Sequence, residues 1–135
     1  MMNSNHPLHE YRRTATEGAV MDASPYQLIT MLMEGAIDRI AAAKGAMQRG
    51  DTALMGELIG KTISIVDTMR ASLDHGRGGD LARNLSDLYD YMEGRLLEAR
   101  RENSTEMLLE VGDLLQEIKA GWDQIPQEYR QSDKG

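Results

Sequence analysis

The chain has no cysteine and no phenylalanine, and only three prolines and one tryptophan. Without cysteine, thiolate catalysis, disulfide staples and thiolate metal sites are excluded. Scarce aromatics beside ten methionines argue against strands, which favour β-branched and aromatic side chains. They suit helices cored with Leu, Ile, Val, Ala and Met. Basic charge is also in deficit, with 15 Lys and Arg against 22 Asp and Glu for a formal charge of −7. Phosphate binding needs a basic surface that releases counterions, so no nucleic-acid partner is expected. No stretch reaches the ~20 apolar residues of a membrane span, and the opening MMNSNHPLHEYRR lacks the apolar run of a signal peptide. No membrane insertion is expected, and a cytoplasmic location is the default reading.

A length of 135 residues suits one domain with one continuous core. Residues 1–24 show no periodicity and read as an N-terminal arm. Residues 25–125 carry four amphipathic segments. The first opens sharply: Ser24 as N-cap, Pro25 at the first helical position and Gln27 completing a capping box. Leu28, Leu32, Ala36, Ile40 and Met47 follow at helical spacing, and Gly50 closes the segment. A second helix starts at Asp51 and runs into His75-Gly-Arg-Gly-Gly79, which reads as a loop. A third begins near Asp80, with a seam of Leu81, Leu85, Leu88, Met92, Leu96 and Ala99. Asn103-Ser-Thr-Glu106 forms another capping box ahead of a fourth helix, with Met107, Val111, Leu114, Ile118, Trp122 and Ile125 on one face and Pro126 as its stop. Residues 126–135 read as a disordered tail. Similar helices joined by short loops predict an all-α, antiparallel up-down-up-down four-helix bundle.

Chemistry is sparse. No His falls inside a predicted helix, so the Glu-x-x-His pairs of di-iron bundles are missing. His6 and His9 lack carboxylate or thiolate partners in the arm and read as solvated imidazoles. Gly76-Arg-Gly-Gly79 lacks the preceding strand and the Lys-Ser/Thr of a phosphate loop. Catalysis is not expected, nor is a metal or cofactor.

Two features are unusual. Gly35, Gly45, Gly56, Gly60, Gly94, Gly112 and Gly121 all fall inside predicted helices, where each costs roughly 0.5–1 kcal/mol relative to Ala. Either they let neighbouring helices approach closely or they open shallow grooves for another helix. Methionines on all four helices fill a core one by one, yet as a group favour an adaptable apolar surface. The first helix also carries a second apolar stripe of Ile29, Met33 and Ile37 beside its first, wider than a bundle needs. Something must cover that surplus: the arm, with Leu8, Tyr11, Val20 and Met21, or a partner helix.

These pieces resemble, in order and spacing, the flagellar export chaperone FliS family. The resemblance lies in Tyr11, Val20, Ala23-Ser-Pro25, Leu28-Ile29-Thr-Met31-Leu32 and Gly35-Ala36. It continues through Gly78-Gly79 with Ala82, Asn84 and Leu85, then Leu88-Tyr-Asp-Tyr-Met92 with Arg95, Leu96 and Ala99. Glu110-Val111, Leu114-Leu115, Ile118 and Trp122 complete it. The chain departs from the pattern at Met33-Glu34, where an aromatic followed by Asp or Asn is usual, and at Arg100, where Asn is common. The resemblance implies a chaperone that binds the disordered C-terminal segment of flagellin, prevents premature polymerisation and assists delivery to the type III export gate. It implies that Tyr11 and Val20 belong to a covering arm. Pro25, Leu28, Ile29, Leu32, Met33 and Gly35 would shape a first groove, and Tyr89, Tyr91, Met92 and Leu96 would contribute from the third helix. Tyr89 and Tyr91 cannot both face inward, so at least one is expected at the surface. An export-gate protein or an anti-sigma factor is a further implied partner. A monomer or weak homodimer is expected, and a self-associating helical scaffold or regulatory subunit is the alternative reading.

Overall fold

The computed structural model describes residues 23–131. Four long helices follow one another: α1 (Pro25–Gln48), α2 (Thr52–Ala71), α3 (His75–Glu102) and α4 (Thr105–Asp123), then a short α5 (Gln127–Gln131). The long helices are joined by two or three residues, so each runs back along its predecessor. α1 packs on α2 and α4, and α3 packs on the same two. The helices therefore close into a ring with α1 and α3 on a diagonal, the bundle expected from the sequence.

Local chemistry explains the boundaries. Ser24 Oγ accepts from the Gln27 N–H at 3.2 Å while Gln27 Oε1 accepts from the Ser24 N–H at 2.9 Å, so the capping box forms in both directions. Gly50 takes φ +77° just beyond α1, a left-handed conformation that disfavours any side chain. Asp51 caps α2 by accepting from the Leu54 N–H at 3.1 Å.

The other two starts differ from the sequence reading. The N-cap of α4 is Ser104, which accepts from the Met107 N–H at 3.2 Å. Asn103 instead ends α3 in the left-handed region, at φ 56° and ψ 46°, a role Asn tolerates well. The segment 75–79, expected as a loop, is a first helical turn capped by Asp74 and interrupted at Gly79, where φ is 52° and ψ −126°. Regular helix resumes at Asp80. A Cβ on Gly78 would lie 2.8 Å from the Ala82 Cβ, so this kink needs the missing side chain.

One core runs through the bundle. Leu32, Met33, Ile59, Met69, Met92, Leu96, Leu108 and Leu115 are fully buried, each worth roughly 1.5–3 kcal/mol against full exposure. The one buried polar side chain among the described residues, Thr62, donates to the Leu58 carbonyl at 2.9 Å. Two seams sit differently from expectation. Leu81 is 66% exposed and Ala82 takes the inward position after the kink. On α4 the deepest stripe is Leu108, Val111 and Leu115, with Met107, Leu114, Ile118 and Trp122 packed beside it. Ile125 lies beyond the helix end. The C-terminal stretch is not wholly structureless either, because residues 127–131 form α5.

Candidate partner-binding surface

The sequence-predicted residues separate by depth. Leu28, Leu32, Met33, Tyr89, Met92 and Leu96 all lie in the core cluster, each 3% exposed or less. They pack inside the bundle. Pro25, Ile29 and Gly35 on α1 are half-buried, while Tyr91 on α3 is exposed. Because α1 and α3 are diagonal, these do not form a single continuous surface. Tyr11 and Val20 lie outside the described residues.

Two expectations about the apolar surface are corrected. Met33, Met47, Met55, Met69 and Met92 are buried, while Met31 and Met107 pack half-buried against the core. Methionine is therefore core filling here, not an adaptable surface. The second stripe of α1 is largely absorbed: Met33 is fully inside, and Ile29 and Ile37 pack against the cluster.

The apolar surplus sits elsewhere. Leu81, Leu97 and Tyr91 on α3, Leu109 on α4 and Tyr129 on α5 are the exposed large apolar side chains among the described residues. Leu97 is one residue, or a 100° step, past buried Leu96. Helical periodicity therefore carried a signal for it, though not for its exposure.

Tyr91 is held by a charged tie between α3 and α4. Its hydroxyl donates to Glu110, and Arg95 donates to the same carboxylate through Nε at 2.9 Å and Nη2 at 2.8 Å. Donation by Tyr91, then by Arg95, holds the Glu110 carboxyl below the usual carboxylate range and raises Tyr91 itself.

At the opposite end of these helices, the start of α1 meets the end of α4. Tyr26 and Trp122 stack with centroids 4.6 Å apart, and the Arg130 guanidinium lies 4.4 Å from the Tyr26 centroid. Trp122 Nε1 donates to Thr30 Oγ1 at 2.9 Å. Beside them is a hollow of about 410 Å³ lined by Ala23, Tyr26, Gln27, Thr30, Met31, Asp123 and Arg130.

The helix glycines divide. A Cβ on Gly112 would meet Ile40 at 3.4 Å, and one on Gly35 would meet Ile65 at 3.7 Å, so these serve close helix approach. Gly56 seats Arg100 of α3, whereas Gly60, Gly94 and Gly121 face open space. Among the described residues, no His, Asp and Glu converge as a metal site, and no helix is long and apolar enough to cross a membrane.

A family model described as flagellar protein FliS matches residues 7–129, nearly the whole chain. The chain belongs to the flagellar protein FliS family. Curated relatives agree. Flagellar secretion chaperone FliSB of Pseudomonas aeruginosa is 48% identical over 118 residues, covering 87% of this chain and 94% of the relative. Flagellar secretion chaperone FliS of Vibrio cholerae is 40% identical over 122 residues, covering 90% of each. The Salmonella typhimurium FliS chaperone is 44% identical over 116 residues, covering 85% of this chain and 86% of the relative.

Proposed function

We propose that this protein is a cytoplasmic export chaperone that binds the C-terminal segment of flagellin, keeps it from polymerising prematurely and assists its delivery to the flagellar type III export apparatus. The observation that carries this reading is the set of large apolar side chains left outside a filled core, with Leu97 56%, Tyr91 46% and Leu109 44% exposed. A partner that covers them supplies the burial that the bundle does not. The relatives, named flagellar secretion chaperones, support the same client class.

A client segment that is disordered when free folds against this surface as amphipathic helices. Apolar burial offsets an ordering cost of about 2–5 kcal/mol. Isothermal titration of the full chain with a flagellin C-terminal peptide tests the reading. Binding with a negative heat-capacity change is expected. Absence of binding overturns the client assignment, and binding without that change overturns apolar docking.

A further inference from the structure

Along the outer edge of the α2–α3 seam, the missing side chain at Gly60 leaves a shallow trench, and the charges at its two ends differ. On α2, Gly56, Gly60, Ile63 and Asp67 recur at helical spacing on one side. On α3, Glu93, Leu97 and Arg100 do the same. Their register is fixed by two contacts. Arg100 lies against Gly56, its guanidinium atoms 3.3–3.4 Å from where a Cβ would stand. Arg70 pairs with Asp90 at 2.8 Å and with Glu93 at 3.5 Å. By that register Leu97 stands on the α2 side of α3, yet it is 56% exposed, and the Gly60 position on α2 is open.

Among the described residues the cationic end is unpaired. The nearby carboxylates Glu98 and Glu102 are both engaged by Arg101, and no acidic group among the described residues pairs with Arg100. The Arg100 guanidinium, with its five N–H donors, is exposed at the surface. At the other end three carboxylates, Asp67, Asp90 and Glu93, share the single guanidinium of Arg70. Asp67 and Asp90 remain more than half exposed. From Gly56 to Asp67 the trench runs about 16 Å, or three helical turns.

Resting on the client assignment above, we propose that this trench docks one amphipathic helical stretch of the flagellin segment in a single direction. A client carboxylate sits on Arg100, an apolar side chain packs on Leu97, and a basic side chain some three turns away meets Asp67 and Asp90. The opposed charges set the polarity of the bound helix, since the reverse orientation places like charges together at both ends.

The test titrates the flagellin C-terminal peptide into the full chain, its Arg100→Glu and Arg100→Gln variants, and Arg83→Glu as a surface-charge control. At about 0.1 M salt, Arg100→Glu weakens binding roughly tenfold or more and Arg100→Gln less, while Arg83→Glu stays within about twofold; the loss shrinks in molar salt. Replacing the matching client carboxylate by Arg restores binding to Arg100→Glu alone. Arg100 is exposed, so circular dichroism should show all three variants folded. If the wild type binds and Arg100→Glu binds equally well, the trench is overturned while the client assignment stands. If Arg83→Glu weakens binding as much as Arg100→Glu, a diffuse field replaces the trench. If the wild type does not bind, both fall.

Discussion

Tyr26, in the first turn of α1, stacks on Trp122, in the last turn of α4, with ring planes 8° apart, and its hydroxyl donates to the Trp122 carbonyl at 2.6 Å. The two ends of the bundle sequence are thus fastened to each other. With one face of Tyr26 against Trp122, the other is left to Arg130, which also donates to the carbonyls of Ile125 at 2.8 Å and Asp123 at 2.9 Å. Those are carbonyls at and beyond a helix end, where acceptors lack intrahelical partners. Arg130 therefore terminates α4, anchors α5 and covers Tyr26 with one side chain.

Removing that side chain tests the arrangement. Arg130→Ala is expected to lower stability by about 1–2 kcal/mol, from the cation–π contact and the charged hydrogen bonds together. The midpoint of urea unfolding should fall with its slope unchanged. Trp122 is the only tryptophan, so its emission should shift to the red as its surroundings become wetter. Unchanged stability and emission would show that α5 does not secure this end.

Tyr89 gives a second test, at alkaline pH. Burial pushes its phenol up to about 12 from an ordinary value near 10. Between those values the folded protein keeps a proton that the unfolded chain releases, so stability falls as pH rises through that window. The contribution is fully present below pH 10. Tyr89→Phe should flatten this part of the alkaline loss and leave stability at pH 7 nearly unchanged. Tyr91, also raised, acts in the same direction, so some loss should persist. An identical alkaline profile for Tyr89→Phe and wild type would count against a buried phenol.

The starts of α1 and α2 were legible because capping is local: Ser24 with Gln27, and Asp51, need only their own turns. Asn103 and Ser104 were harder, since either residue can cap a helix. Asn103 goes to the preceding end because it accepts the left-handed region, which shifts the start of α4 by one residue. Leu81 misled because its spacing from Leu85 and Leu88 puts it on the seam, whereas in the first turn after the kink at Gly79 it is Ala82 that packs inward. Of the candidate site, the sequence correctly separated Tyr89 from Tyr91, which point to opposite sides of one helix. It could not rank depth. Leu28, Leu32, Met33, Met92 and Leu96 share an apolar character with residues that stay outside, and only the packing of four helices decides between them. The seat of Arg100 on Gly56 depends on the register of α2 against α3, which no local pattern reveals.

The charge cluster between α2 and α3 predicts an acid-side effect. Glu93 is raised chiefly by burial, opposed by Arg70 and reinforced by Asp67 and Asp90. Its Oε2 and Arg70 Nε are both buried without a hydrogen bond, so the 3.5 Å ion pair does not offset desolvation. A carboxyl raised in the folded state favours folding when protonated, and that contribution is lost as pH rises above its ordinary value of 4.5. Glu93→Gln should therefore melt higher than wild type at pH 7, with the gap narrowing toward pH 4. A lower melting temperature at pH 7 would mean that attraction to Arg70 prevails.

The division between core and surface makes the sharpest prediction about function. Leu32→Ala and Met92→Ala remove fully buried side chains and should each cost about 2–5 kcal/mol of stability. Under conditions where these variants remain folded, their affinity for the flagellin segment should be nearly unchanged. Leu97→Ala and Tyr91→Ala remove exposed side chains, so Leu97→Ala should change stability by no more than about 0.5 kcal/mol. Tyr91→Ala gives up a surface hydrogen bond to Glu110, which Arg95 still holds, and a cation–π contact with Arg95 at 5.9 Å. Both should weaken client binding, by about 1 kcal/mol or more where the side chain is enclosed in the complex. Urea unfolding and calorimetric titration on the same four proteins separate the two effects. If the buried pair reduces affinity while the exposed pair does not, the client reaches the protein by opening its core, and the outer surface of α3 is not where it docks.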